Sequence, residues 1–240
     1  MNRRGRKQRR IRWDHLLVWF ITIVLTTGAV YMLLRMVSMD DITEEVVQMV
    51  ETDIEWKIET ETEYTVHNAV PKPETDIQHL TVNDYSRPGT SVEAVEYIVI
   101  HYLGNPNTSA QENRDYFESL KDTGHISMSA NYVVGIDGEI IECVPPGEIA
   151  YASNEMNCKS ISIENCHLDD TGRFTEETYT SCVKLAAWLA EEYDIDRDHI
   201  IRHYDVTGKG CPLYYVEHED KWESLRDDIM EYREECRKAD

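Results

Sequence analysis

Positive charge is scarce through most of this chain. Of its 24 Lys and Arg residues, seven fall in the first twelve positions, MNRRGRKQRRIR, which hold no acid. The remainder carries 17 basic against 46 acidic residues, a net charge of −29. So acidic a body excludes nucleic-acid binding, which needs a basic face to neutralise phosphates. No segment repeats, so the 240 residues are read as one domain of ordinary size plus extras. Charge of either sign is missing from residues 16–34, LLVWFITIVLTTGAVYMLL. Nineteen residues at a rise of about 1.5 Å each match a hydrocarbon core about 30 Å thick. Trp13 and Trp19 fall near one end and Tyr31 near the other, where an aromatic belt belongs. The following YMLLRMVSMDD offers no small-residue cleavage site, so a retained anchor is expected rather than a cleaved signal. The basic tail, residues 1–15, then stays in the cytoplasm and the rest of the chain lies outside.

Large apolar residues are few between 35 and 82. This stretch includes ETDIEWKIETETEY and PKPETD, and like-charge repulsion and proline favour an extended acidic linker. DDITEEVVQMVETDIEW is expected to form a short amphipathic helix within it. The folded domain is expected over 83–240. YIVIHY (97–102) is a buried-strand pattern. SAQENRDYFESLKD reads as a helix, with Ser109 as N-cap and Glu112 three residues on. NYVVGIDGEIIECV reads as a hairpin turning at IDG, SISIEN as a short strand and HIIRHY as another. Tyr179, Val183, Ala186, Ala187 and Ala190 share one face of a helix, and DKWESLRDDIMEYREEC closes the chain as an amphipathic helix. Helices interleaved among few strands predict an α/β fold with a mixed central sheet.

One loop carries the chemistry. In RHYDVTGKGCP (202–212), His203 and Cys211 stand eight positions apart across a glycine-rich turn. Imidazole nitrogen and thiolate sulfur are ligands Zn²⁺ favours. His101, near the end of YIVIHY and before the loop LGNPNTS, is the candidate third ligand. Three protein ligands with an open fourth position mark a catalytic rather than a structural zinc. Lys209, on the same loop, can hold negative charge developing beside that metal. A phosphate-binding loop is excluded, because His203 stands where its first glycine belongs and Gly210 where it needs Ser or Thr. If Cys211 binds metal, Cys143, Cys158, Cys166, Cys182 and Cys236 remain, an odd set that cannot all pair within one chain. His15, His67, His79, His125, His167, His199 and His218 lack ligand spacing and are read as surface or membrane-edge residues.

IVIHYLGNPNTSAQENRDYF, SANYVVGIDGEI, SISIEN and RHYDVTGKGCP occur in order. Together they resemble the zinc-dependent N-acetylmuramoyl-L-alanine amidases of the type-2 amidase and peptidoglycan-recognition-protein superfamily. The resemblance runs from about Tyr97 to Pro212. It implies one Zn²⁺ on His101, His203 and Cys211, and hydrolysis of the amide between muramic acid and L-alanine in peptidoglycan. It also implies a catalytic role for Lys209, for Tyr132, set in a stretch similar to the family's Ser-x-His-Tyr, and for Glu164, which matches a strand glutamate. Asn131 departs from the family's usual histidine, and Tyr151 and Ala152 replace a Trp-His pair in a segment (148–157) expected to line the substrate groove. With the anchor, the implied location is a bacterial cell membrane, single-pass, with the catalytic domain outside. The other reading is a peptidoglycan-binding module without turnover. Receptors of that superfamily tend to lose the cysteine ligand, and this chain keeps Cys211.

Overall fold

The computed structural model describes residues 25–27 and 69–239. The chain divides into two units, Met1–Val66 and His67–Asp240. In the first unit, residues 25–27 are helical. The basic tail, the rest of the expected span over 16–34, the short helix expected over 40–56 and the linker to residue 68 lie outside the described residues. Among the described residues, no helix is long and apolar enough to cross a membrane.

The second unit is built on a six-stranded mixed sheet. Its strands are β1 (Asp76–Ile77), β2 (Tyr97–Tyr102), β3 (Tyr132–Val134), β4 (Ile140–Glu142), β5 (Ser160–Asn165) and β6 (Ile200–Arg202). Their order across the sheet is β1-β4-β3-β5-β2-β6. The expected hairpin is the antiparallel β3–β4 pair, and β3, β5, β2 and β6 run parallel. The helices are α1 (Ala110–Thr123), α2 (Glu176–Glu192), the short α3 (His203–Thr207) and α4 (Leu213–Glu217), and α5 (Glu219–Ala239). Helix α1 starts where Ser109 predicts: its side chain accepts from the Glu112 N–H, and the Glu112 carboxylate accepts from the Ser109 N–H. It stops at Gly124, which takes φ 62° and donates its N–H to the Leu120 carbonyl.

Strand alternation divides the core in two. Ile98, Ile100, Ile161, Ile163, Tyr132 and Val134 face α2 and α5, where Leu185, Leu189, Trp222, Leu225 and Ile229 close over them. The residues between them face the other way, where Val133 and Ile141 pack with Phe117 and Leu120 of α1. Residues 69–82 differ from the linker expected there. Val70 and Leu80 are fully buried, and β1 pairs with β4. Lys72 and His79 both bond the buried Glu142 carboxylate, at 3.4 and 2.8 Å. The folded part thus begins before Asn83, because two apolar residues in a charged segment are enough to dock it on a sheet edge. All six cysteines fall among the described residues, and each is a free thiol.

Candidate metal centre and active site

Three parallel strands end side by side, and the site lies at their carboxyl ends. The β2–β5 register sets His101 opposite Glu164, so both side chains leave the sheet on the α1 side. The β2–β6 register pairs Ile100 with Arg202, and the next residue after each is a histidine. His203 does not continue the strand, as HIIRHY predicts; it opens α3. The two imidazoles lie edge to face, with ring centroids 4.8 Å apart.

The turn after β6 is held by a buried arginine. Arg202 makes a two-pronged ion pair with Asp205, at 3.1 and 2.9 Å. It also donates to Glu219 at 2.7 Å and to the Tyr215 carbonyl at 2.9 Å. Its guanidinium stacks near Tyr204 and Trp222. Helix α3 ends at Gly208, whose φ of 77° turns the chain back at little cost. The Tyr204 N–H then donates to the Cys211 carbonyl at 2.9 Å and closes the loop, which enters Pro212 through a cis peptide. This brings the Cys211 sulfur to 3.8 Å from His101 Nδ1. One ligand atom from each of His101, His203 and Cys211 lies within 4.8 Å of the others, and all three residues are buried.

This donor set fits a tetrahedral Zn²⁺. Bonds of about 2.1 Å to nitrogen and 2.3 Å to sulfur put such atoms about 3.5 Å apart. The proton states fit as well. Burial, then His203 and Lys209, holds His101 well below the usual imidazole range, and burial and Lys209 lower His203. Both rings are therefore neutral and can ligate. Burial pushes the Cys211 thiol up to about 12, so a dication must displace its proton, as thiolate ligation to zinc requires. The Glu164 Oε1 lies 3.9 Å from His101 Nδ1, while its buried Oε2 has no hydrogen-bond partner among the described residues. An orphaned carboxylate oxygen beside a cluster of metal donors implies a missing polar group between them. Burial pushes the Glu164 carboxyl up to about 8, with Lys209 opposing it. Lys209 is exposed, yet its charge acts on His101, His203, Glu164 and Cys211.

Tyr132 is not part of this arrangement. It pairs with Ile163, and Val133 with Glu164, so Tyr132 points to the α2 and α5 side. Its ring is fully buried in the larger core, and its hydroxyl donates to Glu142 at 3.1 Å. Burial and Glu142 raise its pKa further above the ordinary phenol value. A one-residue step on a strand reverses the face, and the resemblance to a motif did not carry that register. Asn131 is fully buried too. Its amide donates to the carbonyls of Val144, Pro145 and Glu148, and its oxygen accepts from the Ser162 N–H. This side chain stitches β5 to the loop after β4. His167, expected at the surface, is buried, with its Nδ1 2.7 Å from the Asp169 carbonyl oxygen and its Nε2 on that of Leu103.

Two contacts were not foreseen. His101 Nε2 lies 2.9 Å from Ser153 Oγ, and His203 Nε2 lies 3.3 Å from Asn154 Oδ1. Both partners belong to the segment read as groove lining. Small polar residues in a loop carry no signal of this kind. Their reach depends on how the chain returns from β4 to β5.

The N-acetylmuramoyl-L-alanine amidase family model (Amidase_2) matches residues 91–213. A curated protein of Bacillus licheniformis, described as probable N-acetylmuramoyl-L-alanine amidase, is 34% identical over 147 residues, covering 56% of this chain and 41% of that protein. N-acetylmuramoyl-L-alanine amidase CwlL of the same organism is 35% identical over 148 residues, again 56% and 41%. The chain thus spans under half the length of these curated relatives. Among solved structures, the PlyG catalytic domain superposes with a TM-score of 0.58 at 20% identity, covering 67% of this chain and 96% of that one. The catalytic domain of XlyA gives 0.56 at 21%, covering 65% and 99%. Identities this low speak to fold alone. The family match, though, takes in just over half the chain, including His101, Glu164, His203, Lys209 and Cys211, and so this chain belongs to the N-acetylmuramoyl-L-alanine amidase family.

Proposed function

We propose that the domain hydrolyses the amide between the lactyl group of N-acetylmuramic acid and L-alanine in peptidoglycan, with one Zn²⁺ held by His101, His203 and Cys211. The observation that carries this reading is the convergence of those three donors with the unpartnered Glu164 oxygen, all inside the family match. A bound Zn²⁺ would supply Lewis acidity, polarising the scissile carbonyl and strengthening water as a nucleophile near neutral pH. Glu164, through Oε2, takes the proton of the attacking water and passes it to the departing amine of L-alanine. Its position beside the metal donors, with Oε2 unpartnered, places a carboxylate where that proton must move. Lys209, exposed at the end of the metal loop, stabilises the oxyanion as the carbonyl becomes tetrahedral. The Arg202 network with Asp205 and Glu219 holds the start of α3, and with it His203, in place while charge redistributes.

Residues 16–34 anchor this domain in the bacterial cell membrane, with the N-terminus inside and residues 69–239 outside, where peptidoglycan lies. The charge-free apolar run behind seven basic residues supports that topology. Mass spectrometry of purified sacculi digested by the zinc-loaded full chain tests the reaction. Free lactyl ends and new L-alanine amino termini are expected, and intact muramyl amides after exhaustive digestion would overturn it. Protease added to intact spheroplasts tests the topology. Release of a fragment holding Cys211 is expected; protection until lysis would reverse the orientation.

A further inference from the structure

The unforeseen pair of contacts bears on how the two histidines meet the metal. A neutral imidazole carries one N–H, and the nitrogen that keeps it cannot ligate. His101 turns Nδ1 toward Cys211 and Glu164, and turns Nε2 toward Ser153 Oγ at 2.9 Å. His203 turns Nε2 toward Asn154 Oδ1 at 3.3 Å. Neighbouring residues of one short helical turn, Asn154–Met156 and the serine before it, thus face Nε2 of both rings. The turn is itself pinned. Asn157 Oδ1 accepts from the Ala152 and Ser153 N–H groups at 3.2 and 2.6 Å, and the Asn157 N–H donates to the Asn154 carbonyl. Asn154 holds a left-handed φ of 52°, a conformation asparagine tolerates and most side chains do not. Ser153 is fully buried.

We infer that Ser153 and Asn154 are positioning residues that accept the Nε2–H of His101 and His203 respectively, holding both rings in the tautomer that presents Nδ1 to the metal. Acceptors on the outer nitrogen of metal-bound histidines fix ring orientation and raise ligand basicity, and their loss typically weakens metal affinity about 10–100-fold. Placing both acceptors side by side makes the two ligands depend on one turn. That turn leads directly into β5, the strand carrying Glu164. The inference rests on the zinc reading above.

The test uses the full chain in detergent and Zn²⁺ itself, measured by competition with a chromophoric chelator. Ser153→Ala removes one acceptor. Asn154→Gly removes the other while keeping a residue at ease with φ 52°, which alanine is not. Each variant is expected to bind Zn²⁺ about 10–100-fold more weakly than the native chain. Asn154→Asp, which restores an acceptor at the same place, is expected to recover native affinity to within about threefold, a rescue that a purely structural role would not need. Long-range ¹H–¹⁵N spectra of the zinc-loaded native chain are expected to show both ligand histidines protonated at Nε2. Native affinity in both Ser153→Ala and Asn154→Gly would overturn the inference, as would ligation of either histidine through Nε2, or a loss in Asn154→Gly that Asn154→Asp does not repair. If the native chain binds no Zn²⁺, the zinc reading falls, and this inference falls with it. If the native chain binds Zn²⁺ through Nδ1 but the variants match it, this inference alone fails.

Discussion

On the side of the sheet beneath α2 and α5, β2 and β5 contribute Ile98, Ile100, Ile161 and Ile163. On the other side, one residue later, the same strands contribute His101 and Glu164. The first set is sealed by Leu185, Leu189 and Trp222 and carries stability. The second lies at the strand ends, where the candidate metal donors converge. Nothing distinguishes the two sets in the backbone; the pleat alone assigns them. Each side also tolerates polar groups on different terms. Tyr132 and Glu142 satisfy one another within the larger core, while Glu164 keeps an oxygen unpartnered beside the metal donors.

This contrast breaks most sharply at the metal. Cys211→Ser should abolish stoichiometric Zn²⁺ binding and lower kcat/KM by more than about 10³-fold, since a serine hydroxyl is a far poorer zinc ligand than a thiolate. Cys158→Ser, an exposed thiol away from the cluster, should change neither. Metal analysis beside kinetics on muropeptide checks both. Glu164→Gln and Lys209→Ala come next. Each should retain Zn²⁺ and lose about 10²–10³-fold in kcat, because each removes a group acting on the transition state rather than a ligand. Native kcat in both would leave the metal without its proton carrier and its charge partner.

Tyr132→Phe sharpens the same comparison from the core side. Turnover should stay within about twofold of native, while stability falls by about 1–2 kcal/mol in urea denaturation, because the buried Glu142 loses a donor. A large fall in kcat at unchanged stability would return Tyr132 to the site and contradict the observed register. The smallest effect is expected at Arg87 and Glu148, a two-pronged pair at 2.8 Å that ties the approach to β2 to the loop after β4. The Arg87 guanidinium, against some burial, holds the Glu148 carboxyl below its ordinary value. A depressed carboxylate contributes stability that is present above its unfolded pKa, about 4.3, and is lost as pH falls through the folded value. Melting temperatures from pH 6 down to 3 should therefore fall less steeply in Glu148→Gln, by an amount worth at most about 1 kcal/mol for a partly exposed pair.

Much of the fold could be read locally. The 97–102 and 160–165 strands, the capped start of α1 and the 131–144 hairpin depend on alternation, capping and turn chemistry within a few residues. The metal donors were readable because His203 and Cys211 share one short loop and His101 ends a strand before another. Residues whose role depends on distant neighbours were not. Val70 and Leu80 looked like linker because the sheet edge there is formed only by β4, much later in the chain. Asn131 looked like a departure in the site, and proves to tie β5 to the loop after β4.

By itself the sequence determined which residues could ligate zinc, where the chain would alternate, and where it would turn, because those properties reside in residue chemistry and near-neighbour spacing. Only the tertiary structure decided which face each strand residue would take and which loop would stand behind each histidine. Tyr132 went to the core by a one-residue register that pairs it with Ile163. Ser153 and Asn154 reached His101 and His203 across 52 and 49 positions, because β5 lies beside β2 and β2 beside β6. Strand order and register are settled by packing summed over the whole sheet, and no window of sequence contains that sum.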